Sequence, residues 1–432
     1  MQKLSAYTHQ FLLVLSLVSY LILAQGIDRS QSAELITLIA VVFFSYIALI
    51  RKELPLWVAI ATGLAFRFAY LGSTPVLSQD FYRFIWDGRL LLEGISPYSY
   101  LPEELIAHPK FTSWADLYTG MGPMSAGHYS NYPMFNQVVF ALGALTAYPM
   151  TTYRLLIIGA DIAVYTILYN LGSPNSKKWA LTYWLCPLVI IEGAGNLHFE
   201  SLMVLLLLLG LNLLYKNHFF KAGVALSASV LLKAIPLLFA TLLLKSSSKR
   251  QFIQLSIAGL ITLLIGVLPF LNDELAGNYW KSFGLWFSNF EFNSGGYRVF
   301  KELGILLGYS DWQLIRFYGK LHSALIIGFA LLLSLRTKNL VKVQEYAYLL
   351  LLVYLLSTPT VHPWYLITLV ALGALNQRVE GIIWSFTVMI SYWAYALNPI
   401  ELPFWAVLLQ IAPIIALLSS SAFRSFVENR LL

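Results

Sequence analysis

Apolar runs of nearly membrane-spanning length recur from one end of the chain to the other. Runs such as FLLVLSLVSYLILAQG (11–26) and SLMVLLLLLG (201–210) leave few ways to fold. In lipid a backbone can satisfy its polar groups only internally, so such runs become helices. Each full crossing needs about 20 apolar residues. Only 11% of the 432 residues are charged, against roughly 25% in soluble proteins. The expectation is an all-α, polytopic membrane protein forming a single integral domain over 1–432.

Candidate spans fall at 11–26, 34–50, 55–71, 133–149, 154–171, 179–194, 198–215, 252–271, 321–336, 345–358, 362–376, 379–397 and 403–420. The run at 11–26 lacks a basic flank beyond Lys3 and a small-residue cleavage site, so it reads as a retained helix and not as a leader. Basic residues gather in short cytoplasmic loops. That rule places the loops at 51–52, 177–179, 216–221, 245–250, 336–342 and 376–378 inside, and 72–132, 272–320 and 357–364 outside. It also accounts for the net charge of +7 without nucleic acid. Cys186 is the only cysteine, which excludes an intramolecular disulfide.

Two stretches resist simple counting. The segment 221–245 has basic loops at both ends, with Lys233 in its middle and Pro236 close behind. A lone lysine at the centre of a spanning helix costs roughly 2.5–3.5 kcal/mol. A re-entrant helix pair turning at Lys-Ala-Ile-Pro keeps both ends inside and gives Lys233 a polar cavity. If 133–149 and 154–171 both cross, Lys177 and Lys178 fall outside. Either 131–150 does not span or the charge rule is broken there.

The outer stretch 72–132 holds six acids against three bases. Its opening, SQDFYRFIWDGRLLLEGISPY (78–98), reads as a surface helix capped by Ser78 and ended by Gly94 and Pro97. Asp80, Arg83 and Asp87 share one face. This pattern fits ordinary intrahelical ion pairs. It also fits a carboxylate held above a cavity as general base, with Arg83 and Arg89 meeting an anion. Asp80 and Asp87 would lie roughly 10 Å apart along a continuous helix, too far for one ion to bridge. The same outer side collects His198 and Glu200 at a helix start, and His362, Trp364 and Tyr365 in VHPWYL. Arg298 follows the Gly–Gly turn in FNSGGYRVF. Ionisable groups at such positions in a membrane protein are functional candidates, and the aromatics suit stacking on sugar rings.

Taken together, SQDFYRFIWDGRLLLEGISPY, NLHFESLMVLLLLLG, LLKAIPLL and VHPWYL resemble the GT-C superfamily of glycosyltransferases. The chain is most similar to the bacterial and archaeal polyprenyl-phosphate-mannose-dependent mannosyltransferases, in order over 78–376. Two departures stand out: NYPMF (131–135) lacks a second proline, and Glu200 stands where an aspartate is commoner. The resemblance implies a bundle of about 11–14 membrane helices with a long first outer loop. It implies transfer of a hexose, mannose first, from a polyprenyl phosphate to a glycan or glycolipid acceptor, by inversion, on the outer face of the cell membrane. Asp80 would be the general base, with Asp87 the second candidate. Arg83, Lys233, His362 and Arg298 would face the donor phosphate. Arg89, His198, Glu200, Trp364 and Tyr365 would bind substrate. No cofactor is implied; a divalent metal is compatible with the resemblance but not indicated by it. The competing readings are a transporter or lipid flippase, and a polymerase or ligase of lipid-linked glycans.

Overall fold

The computed structural model describes residues 2–51, 54–171, 175–288 and 290–431; Lys52, half of the expected inner loop 51–52, lies outside them. The described residues form helix after helix, with no strand beyond a single bridge between Phe292 and Thr360. Five helices are long and apolar enough to cross a membrane: Ser32–Ile50, Pro149–Tyr169, Lys249–Phe270, Asp311–Arg336 and Leu340–Ser357. Two sharply bent pairs raise the number to seven. That is fewer full-length crossings than the thirteen candidate runs, because several runs fold as shorter or broken helices. Met134–Ala144 has only 11 residues, about 16 Å of rise, roughly half a bilayer core.

The long helices present their apolar side chains outward. Ile265 and Leu325 are each 62% exposed, and Leu260 and Leu332 are similar. Patches this large belong against lipid or a partner and not in water.

Glycine contacts give the helix directions around the centre. A Cβ on Gly210 would meet Leu226, and Glu200 pairs with Lys233, so Glu200–Tyr215 and Phe219–Leu232 run antiparallel. Gly223 touches Leu255 and Ala258, Gly259 touches Ser227, and Gly266 touches Leu231. Phe219–Leu232 and Lys249–Val267 therefore run parallel, and the chain returns between them through the 3-10 stretch Ile235–Leu243. Ser248 and Gln251 cap the second riser reciprocally. The helix break falls at Lys233, whose backbone is extended.

The helix Asp80–Leu92 lies deeper than a surface helix. It buries Phe81, Phe84, Ile85, Trp86 and Leu90. The segments Pro102–Leu105 and Ala115–Ala126 roof it, with Trp86, Leu90, Phe111 and Met121 as a small second core. On its other side Met134–Ala144 packs so closely that a Cβ on Gly88 would fall 2.3 Å from the Phe140 carbonyl oxygen. Arg154 fastens the bundle end from within. It donates to the carbonyls of Leu71, Ser73, Ala194 and Gly195.

Candidate active site

Three segments converge at one end of the bundle, and each is positioned by a local break in helix. Asp80 opens the helix Asp80–Leu92 and borrows the Ser78 hydroxyl as an acceptor for its backbone N–H at 3.3 Å. The π-turn Val189–Gly195 is followed by Leu197 at a φ of 63°. This widened turn swings the chain through 112° into Glu200–Tyr215 and sets His198 and Glu200 side by side. The loop after Leu340–Ser357 brings His362, Trp364 and Tyr365.

His198 is held in a defined tautomer. Its Nδ1 lies 3.0 Å from the Glu192 carbonyl oxygen, which can only accept, so Nδ1 carries the proton. Nε2 faces the Asp80 carboxylate at 3.9 Å and has no hydrogen-bond partner. That gap is too wide for a direct hydrogen bond. Asp80 keeps 37% of its side chain open. Burial pushes its carboxyl above the ordinary carboxylate range, while His198, Lys233, the Tyr132 hydroxyl and Arg29 pull it back down.

Trp364 is sandwiched between two imidazoles, 3.8 Å from His198 and 4.3 Å from His362, ring centre to ring centre. Phe292 covers the far face of His362 at 5.0 Å. Burial, then the neighbouring His198 and Lys233, push His362 down to about 3, so it is neutral. Lys233 pairs with the buried Glu200 and sits 4.2 Å over the Tyr365 ring. Asn136 donates to the Leu232 carbonyl, tying Met134–Ala144 to the same break.

The sequence candidates thus divide. Asp80, His198, Glu200, Lys233, His362, Trp364 and Tyr365 come together. Asp87 and Arg83 do not join them: Arg83 Nε meets Asp87 Oδ1 at 2.6 Å in a nearly fully buried pair. Gln137 donates to the other Asp87 oxygen, and Arg83 also donates to the Ser125 and His128 carbonyls. The pair ties its helix to the roof instead of pointing into the cavity. Arg89 lies half-buried over Trp114 in the second core. Arg298 is taken by Glu302 and Glu401 in the other loop cluster. Among the described residues, no three His, Cys, Asp or Glu side chains are grouped so as to hold a metal ion.

Sequence reasoning passed over Arg29, Tyr132 and Glu192. Glu192 carried a signal, as a lone acid in an apolar run. It accepts from the Tyr392 hydroxyl at 2.6 Å and underpins His198. The same signal marks Arg67 and Asp161, paired at 2.8 Å with no exposure. Arg29 carried a subtler one, a cation in a loop on the side the charge rule leaves poor in bases.

Residues 13–246 match the family model described as alpha-(1->6)-mannopyranosyltransferase, N-terminal domain. The chain is 31% identical over 171 residues to alpha-(1->6)-mannopyranosyltransferase A of Corynebacterium glutamicum ATCC 13032, a stretch covering 38% of this chain. The matched stretch spans 33% of that relative's length. No solved structure matches the chain.

Proposed function

The chain belongs to the alpha-(1->6)-mannopyranosyltransferase family, and from that premise we propose that it transfers mannose from a polyprenyl phosphate to a glycan or lipid-linked acceptor. Transfer takes place on the outer face of the membrane and inverts the anomeric centre. The observation that carries this reading is the Asp80 carboxylate, 37% exposed, facing the unpartnered Nε2 of His198 across 3.9 Å. An acceptor hydroxyl on the exposed side of Asp80 gives its proton to that carboxylate. Its oxygen forms the new glycosidic bond as the bond from the anomeric carbon to the phosphate oxygen breaks. The departing polyprenyl phosphate takes up a further negative charge, which needs positive charge placed in advance. Lys233 supplies part of it. Trp364, its faces filled by His198 and His362, can meet the sugar only by its edge, and Tyr365 only by the face that Lys233 leaves open. With Asp87 drawn off into its pair with Arg83 and Glu200 held by Lys233, Asp80 is the carboxylate of the site left without a close cation among the described residues, which favours a single displacement over the paired-carboxylate double displacement of retaining enzymes.

The test is incubation of the purified protein, in nanodiscs, with labelled polyprenyl-phosphate-mannose and a panel of glycolipid acceptors. A nucleotide-sugar serves as control. Mannosylated acceptor from the lipid donor alone is expected. Transfer from the nucleotide-sugar, or none from the lipid donor with any acceptor, overturns the proposal. The helix break at Lys233 also resembles the broken helices of carriers. Movement of labelled lipid across a vesicle bilayer without glycosyl transfer would favour that second reading.

A further inference from the structure

The groups expected to meet the donor phosphate already have partners in the protein, so even Lys233 brings it only part of a charge. Arg83 is bound to Asp87, Lys233 to Glu200, and Arg298 to Glu302 and Glu401. His362 is held neutral between aromatic rings. One further cation acts on Asp80: Arg29, in the short loop between the first two helices. Among the described residues it forms no ion pair within 4 Å. Its neighbour Asp28 is bound instead to the backbone N–H and hydroxyl of Ser30 at 2.8 and 2.6 Å. The guanidinium carbon sits over the Tyr395 ring at 4.1 Å, and one of its nitrogens reaches the Gln79 side-chain oxygen at 3.5 Å. Gln79 immediately precedes Asp80. Stacking of this kind holds the planar fork in place while its edge remains free to donate.

Beside this loop the 70–77 segment is closely packed: Leu23, Ile27, Leu35, Val76 and Leu77 leave only about 10 Å³ between them, and the Leu77 backbone N–H donates to Asn196 at 3.2 Å, two residues before His198. A cation without a carboxylate partner therefore stands against the residue that precedes Asp80.

We infer that Arg29 binds the phosphate of the isoprenoid donor. This rests on the donor class proposed above. Arg29 then takes the charge that accumulates on the phosphate oxygens as the bond to the sugar breaks. The occupant follows from charge complementarity between the guanidinium, which no carboxylate neutralises, and the phosphate.

Binding of farnesyl phosphate and of farnesol to the full chain in nanodiscs separates the parts. Wild type is expected to bind the phosphate more tightly than the alcohol. Arg29→Gln should weaken the phosphate roughly 10- to 100-fold and leave the alcohol unchanged. Arg29→Lys keeps the charge and loses the fork, so it should recover part of the loss. If wild type binds neither ligand, the donor class itself fails. If wild type prefers the phosphate and Arg29→Gln does so equally, this inference alone fails. Ligand-free melting temperatures report whether each variant folds. Should Arg29→Gln not fold, the comparison of Arg29→Lys with wild type decides, and equal phosphate affinity there overturns the assignment.

Discussion

Asp80 and Asp87 lie seven residues apart on one helix, yet their surroundings give them opposite capacities. Asp80 is open on one side and held above the ordinary carboxylate range chiefly by burial. A base must be ionised to accept a proton, so the transfer rate should fall as pH drops through that raised value. The acidic limb of the pH–rate profile is therefore expected above the range of an exposed aspartate. Asp80→Asn should remove the limb and lower the rate by about 10²- to 10⁴-fold, while farnesyl phosphate binding persists; a fully active variant would exclude Asp80 as the base. Asp87 is fully buried against Arg83. Asp87→Asn leaves a buried guanidinium uncompensated, a cost of about 3–5 kcal/mol, read as a lowered melting temperature. Its surviving folded fraction should retain much more activity than Asp80→Asn. The sequence showed both carboxylates and the arginine between them, and allowed either an internal pair or an anion site. It could not choose, because the choice depends on Gln137 and the 125–128 turn closing around Asp87 from distant parts of the chain.

At the level of elements, the site depends on where helices stop. The pairing of Lys233 with Glu200 joins the end of one helix to the start of its antiparallel neighbour. Glu200→Gln should destabilise the protein strongly, because Lys233 then stays buried without a counter-charge. In Glu200→Gln combined with Lys233→Met that charge is gone, so much of the stability should return while transfer stays low. Thermal unfolding and activity measured together separate the two effects. Gly88 is a second such point. Any side chain there meets the Phe140 backbone, which cannot yield as a flexible side chain would. Gly88→Ala should push Asp80–Leu92 off Met134–Ala144, costing about 1–3 kcal/mol and lowering the rate beyond the loss of folded protein. The break at Lys233 is legible in the sequence, since a lone lysine and a nearby proline both oppose a continuous apolar helix. The π-turn at 189–195 is not. Its residues read as mostly apolar span, and the widened turn is held by side chains from elsewhere: His198 donates to the Glu192 carbonyl and Arg154 to the Ala194 carbonyl. The shortness of Met134–Ala144 was equally hidden, although the charge rule had flagged its surroundings as inconsistent.

On the scale of the whole molecule, charge and chemistry separate to opposite ends. Glu200 and Lys233 mark the site end, so Lys216, His218 and the Ser248 cap fall at the other, given the helix directions fixed by Gly210 and Gly223. The Ser334 hydroxyl donates to the Thr241 carbonyl, and Asn376 to Gln344, which brings the loops near 245, 337 and 377 to that far end as well. Every one of these far loops carries lysine or arginine. The site end carries the acid-rich stretch 72–132. If basic loops stay with the cytoplasm, the cavity opens away from it. The protein suits a direct test, because its single cysteine, Cys186, is buried and should give little background. Glu103→Cys lies exposed in the roof of the site, and Arg250→Cys and Lys338→Cys are exposed in the far loops. A membrane-impermeant maleimide applied to intact cells should label Glu103→Cys only, and permeabilisation should bring up the other two. The reverse pattern would put the cavity in the cytoplasm, where nucleotide-sugars are available and a polyprenyl donor is no longer required. The sidedness of one cysteine therefore bears on the donor as directly as any kinetic measurement.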